Sequence, residues 1–228
     1  MAHLEHLFAA GSRFDTEIQY LARHGETLAY ENLPISESHS PRTCALTSLV
    51  QCIAVLEQLP VKDVRVLGRA ALRMLTERLG HSQHDRQDEI APNSLMAVVE
   101  ALCTTRAELH LSGIADDLGS VAQHALRAGQ VCLLQFESAR SSQWAMVTGV
   151  ELDRSENAPA LSNQTRALLL LDSSASRPWA CAHNVRIELQ AAAGKAVRAS
   201  PGFPLNCRHL TGEASAVRLL CLIVMRAA

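Results

Sequence analysis

The hydrophobic repeat of the chain changes period near Gly129, and that change limits the folds open to it. Upstream, apolar residues recur at helical spacing: Leu46, Leu49, Val50, Ile53 and Leu56 form one set, and Val64, Leu67, Ala71, Leu72, Leu75 and Leu79 another. Downstream, short apolar runs bounded by turn-formers replace them, at roughly 130–136, 143–151, 167–172, 185–189 and 216–226. Helices followed by strands, joined by short connections, imply an α+β protein with an antiparallel sheet. With 228 residues and 48% hydrophobic content the chain can bury one large core, so a single domain over 1–228 is expected. Its helical lobe would be 1–129 and its β lobe 130–228.

Local signals set the expected boundaries. Leu4, Leu7, Phe8, Phe14, Ile18 and Leu21 suggest a helix over 4–24 stopped by Gly25, followed by a loop over 26–42 containing Pro34 and Pro41. A helix then opens at Cys44 with Thr43 as its N-cap and Pro60 beyond its end. Further helices are expected up to Gly80, over Asn93 to Cys103 and over Asp116 to Ala128, with an extended piece ending near Leu111. The segment from His81 and His84 to Glu89 reads as a solvated loop, and Asp153 to Arg166 as a long hairpin insertion.

Composition excludes several functions. The net charge is -2, with both signs dispersed, so no basic field exists to hold nucleic acid. No apolar run approaches the roughly 18–20 residues a membrane span needs, and the start of the chain lacks a signal-peptide pattern. Seven cysteines, most within apolar segments, suit reduced core thiols and a cytoplasmic location better than a disulfide framework. No phosphate loop is present, since the glycine near Leu111 to Gly113 lacks both the spacing and the lysine, and no cofactor is expected.

Cys44 is the natural nucleophile candidate, because a cysteine in the first turn of a helix faces unpaired N–H groups that favour a thiolate. Thiol catalysis also needs a base, a group orienting that base, and oxyanion donors. The order of Thr43-Cys44-Ala45-Leu46 opening a helix, Gln143-Trp144-Ala145-Met146-Val147 on a strand and Leu171-Asp172 ending the next resembles the papain-like cysteine peptidases of the double-glycine, bacteriocin-processing kind. The resemblance spans about Pro34 to Met225. It implies a papain-like fold, with a helical lobe packed on an antiparallel sheet and a cleft between them. It also implies that Cys44 holds the nucleophile position and Asp172 that of the orienting acid, while Gln143 stands where the catalytic histidine would be. Glutamine cannot accept a proton from a thiol near neutral pH. The family's oxyanion glutamine is also missing from Ser36 to Ser40, and its Gly-Pro pair is Ala45-Leu46 here.

These departures point to a degenerate peptidase whose cleft binds a peptide or protein, with Trp144 beside the site. The competing reading is an active thiol peptidase or acyl-transfer enzyme that draws its base from elsewhere, such as His39 or His183. A weaker alternative groups Cys181, His183, Cys207 and His209 as zinc ligands, although their spacing matches no metal motif.

Overall fold

The structure is a computed structural model that describes residues 3–8, 41–57, 59, 61–79, 90–112, 117–154, 164–175, 183–189 and 202–227. Four helices and eight strands fall within them. The helices are α1 (Pro41–Leu56), α2 (Val61–Leu79), α3 (Pro92–Leu102) and α4 (Leu118–Arg127). The strands are β1 (His3–Phe8), β2 (Arg106–Leu111), β3 (Val131–Ser138), β4 (Ser142–Arg154), β5 (Gln164–Leu171), β6 (Val185–Glu188), β7 (Leu205–His209) and β8 (Ala214–Arg226). No described helix is long and apolar enough to cross a membrane.

Every strand pairing is antiparallel, and six strands close on themselves in the order β4-β3-β8-β7-β6-β5 and back to β4. Closure removes strand edges within that ring. Two strands are too long for it. Along one edge, β4 pairs first with β3, through Ser142 to Val147, and then with β1, through Gly149 to Arg154. In the same way β8 pairs with β7 through Ala214 to Val217 and with β2 through Cys221 to Arg226.

The mixed helix and antiparallel-sheet class is therefore as expected, while three local expectations change. Residues 3–8 form a strand rather than the start of a helix, and the rest of the expected helix over 4–24 lies outside the described residues. The second half of β4 supplies the reason, since on the edge away from β5 its backbone groups need a partner that β3 is too short to provide. The first half of the chain is thus not purely helical in role, because β1 and β2 both join the sheet. Helix α1 begins at Pro41 and not at Cys44, so Thr43 is inside the helix instead of capping it. Proline suits a first helical position, where its missing N–H costs nothing. Finally, β7 adds a strand between those expected at 185–189 and 216–226, and the strands around the 153–166 insertion run further into it, to Arg154 and from Gln164.

The core runs between α1 and the barrel strands and is dominated by Leu, Val and Ala, with Trp144 and Phe136 its largest buried side chains. Helix α4 is capped by Asp117, which accepts from Gly119 N at 3.1 Å, and is stopped by Gly129 at φ 70. Its first turn lies so close to the sheet that Thr165 Oγ1 donates to Gly119 O at 3.1 Å, and a Cβ on Gly119 would run into Leu189. On another face, Arg186 of β6 reaches across β5 to grip Glu151 of β4 through two bonds of 2.9 and 2.7 Å. The β5 residue in register with both Glu151 and Glu188 is Ala167, whose short side chain leaves the span clear.

Candidate functional site

Helix α1 carries Cys44, Ser48 and Cys52 at four-residue spacing, which puts them on one face. That face meets the barrel through polar contacts as well as apolar ones. Cys44 Sγ and Ser48 Oγ both donate to the carbonyl of Trp144 at 2.9 Å, and Cys52 Sγ approaches the carbonyl of Cys132 at 3.8 Å. Trp144 lies beyond the first pair of β4 with β5, Met146 with Leu171, so β5 brings no partner to its carbonyl. The two α1 donors satisfy it instead.

Asp172 is placed by the end of the neighbouring strand. Leaving β5, the chain makes a turn in which Asp172 Oδ1 accepts from Ser174 N and Ser174 Oγ, each at 2.7 Å. Asn184, just before β6, clamps the same residue by accepting from Asp172 N at 2.8 Å and donating to Asp172 O at 2.7 Å. Cys44 Sγ then lies 3.7 Å from Asp172 Oδ1, with both residues buried.

The electrostatics run against a reactive thiol. Burial pushes the Cys44 thiol up to about 12, and the neighbouring Asp172 charge adds to the effect, while Ser173 and the backbone at Trp144 only partly offset it. At pH 7 such a group stays protonated. The expected benefit of the helix start is therefore overridden, because Cys44 faces a carbonyl and a carboxylate in a place water does not reach. Burial also holds the Asp172 carboxyl above its ordinary value of 3.8, against the lowering influence of Ser174, His209 and Cys44.

Of the expected site residues, Cys44 and Asp172 come together and Gln143 does not join them. Gln143 is half-buried opposite Phe136 in the β3–β4 pair, and among the described residues no hydrogen bond connects it to either partner. Trp144, expected beside a ligand, is 1% exposed and packs in the core. It contributes its backbone carbonyl instead. His39, His81, His84 and Cys181 lie outside the described residues. His209 lies close enough to Asp172 to lower its carboxyl, and among the described residues no cluster of three or more metal-ligating side chains forms around His183, Cys207 and His209. Two contributors were missed in the sequence. Ser48 had a signal in its spacing from Cys44, whereas Asn184 had none, because its role depends on how the strand after the turn comes back alongside Asp172.

The chain matches no protein-family model, and no curated protein matches it.

Proposed function

We propose that this chain is a catalytically silent protein of papain-like type that binds a peptide or another protein without cleaving it. The observation that carries the reading is the setting of Cys44, whose sulfur lies between two acceptors, the Trp144 carbonyl and the Asp172 carboxyl. Proton abstraction from a thiol needs a base in hydrogen-bond reach. Here the group the thiol meets is the Asp172 carboxyl, whose charge opposes a second one on the sulfur, and the amide of Gln143 makes no bond to the sulfur. Support for the binding half comes from the sequence resemblance, in which a cleft outlasts its catalytic histidine.

The decisive experiment incubates the full chain with a mixed peptide library and reads cleavage by mass spectrometry. No turnover is expected, while part of the library is retained by the immobilised protein. Cleavage that disappears in Cys44→Ala would overturn the proposal in favour of an active thiol enzyme. Iodoacetamide labelling of the native protein gives a second readout. The half-exposed Cys103, pushed up to about 11 by burial and Glu57, should react roughly tenfold or more faster than Cys44.

A further inference from the structure

We infer that the cavity where α3 runs into β2 is an oxyanion-binding site, clamped by Arg106 and Arg226. The cavity measures about 520 Å³, and its lining includes Glu100, Thr105, Arg106, Gln130, Val224 and Arg226. That volume falls in the range of small-molecule sites. Arg106 and Arg226 are direct partners in the β2–β8 register, so two like charges stand opposite each other across one strand pair. Such an arrangement opposes pairing.

The cost is not offset by neighbours. Among the described residues neither guanidinium has an ion-pair or hydrogen-bond partner, as also holds for Arg69, Arg127, Arg140 and Arg166, but only Arg106 and Arg226 face each other across a strand pair and line one cavity. The two acids of the cavity do not fill the role: Glu108 is approached by His110 Nε2 at 3.7 Å, and Glu100 makes no ion pair among the described residues. Two planar forks, each with five N–H donors and rooted about 4.5–5.5 Å apart, present the geometry that a carboxylate or phosphate group accepts. Val224, in register with Glu108 on the adjacent strand, adds an apolar contact for the body of the ligand. The ligand class is thus a small oxyanion-bearing molecule, either a carboxylate such as a peptide C-terminus or a free phosphate. The site is separate from the Cys44 corner and does not rest on the reading of that corner.

Calorimetric titration of the full chain tests the inference with three probes: inorganic phosphate, a hexapeptide with a free C-terminal carboxylate, and the same peptide as its C-terminal amide. At least one oxyanion is expected to bind with a Kd below about 1 mM, and Arg106→Gln or Arg226→Gln should each weaken it tenfold or more. Arg106→Lys keeps the charge without the fork and should fall between wild type and Arg106→Gln. Binding of the acid peptide but not of the amide assigns a carboxylate, and binding of phosphate alone assigns a free anion. The clamp is overturned if neither oxyanion binds below about 1 mM, if the amide binds as well as the acid, or if binding survives both glutamine variants. Both variants should keep the wild-type unfolding midpoint, since they relieve a like-charge contact, so lost binding cannot be charged to lost fold.

Discussion

The corner around Cys44 and the cavity at the start of β2 both gather polar side chains at strand ends, yet they treat them in opposite ways. In the corner, the thiol and Ser48 donate to Trp144, Ser174 donates to Asp172, and Asn184 answers the Asp172 backbone at both its N–H and its carbonyl. In the cavity, two exposed arginines face each other with their donors unspent among the described residues. A reactive residue type in a suggestive place is therefore not yet a site. What matters is whether the fold has already used its hydrogen bonds. Buried groups must be satisfied by the protein itself, whereas groups at an open cavity remain available to a ligand.

The largest test of that contrast is Trp144→Ala, which would empty the centre of the corner's packing and cost about 3–5 kcal/mol of stability by urea denaturation. Trp144→Phe should cost much less, because among the described residues the buried Nε1 has no hydrogen-bond partner to lose. Equal losses for the two would mean that the indole N–H is engaged after all.

The next test concerns the shared carbonyl. Cys44→Ala and Ser48→Ala should each cost about 0.5–1.5 kcal/mol, since the other donor still serves Trp144 O. The double variant should lose about 1 kcal/mol beyond the sum, as the carbonyl is then left bare. Strict additivity in the double-mutant cycle would show that the two donors act separately and that the corner is not closed by hydrogen bonding.

The smallest effect is a pH slope. Because the folded Asp172 carboxyl titrates above its ordinary value of 3.8, its contribution is fully present below that value. It is lost as pH rises through the folded value, since the unfolded chain gives up the proton first. Asp172→Asn keeps an acceptor for Ser174 and cannot ionise. The stability of wild type relative to this variant should therefore fall as pH rises above about 3.8 in urea titrations. A rise instead would mean that the carboxylate is stabilised by its surroundings, as an orienting carboxylate in a working triad is.

Much of the fold could be read locally. Helices α2, α3 and α4 lie within a few residues of their expected bounds, because apolar spacing, Asp117 and Gly129 are near-neighbour signals. Strands β3, β4, β5, β6 and β8 were visible for the same reason, as apolar runs between turn-formers. The misread strand at 3–8 shows the limit, since its conformation is decided by β4, more than a hundred residues away in sequence. In the candidate site, the meeting of Cys44 with Asp172 was anticipated, but the roles of Ser48 and Asn184 beside them were not. Likewise, nothing local marks Arg106 and Arg226, which are opposed only through the register of β2 on β8.

The amino-acid order alone determined the period of each segment, and with it the division into helices and an antiparallel sheet, because burial of a stripe or a face is a property of neighbouring residues. Closure of the ring, the burial of Cys44 and the facing arginines were decided only by tertiary structure. Each of these depends on which distant backbone comes to lie alongside, and that sets both the hydrogen bonds a side chain finds and the water it loses.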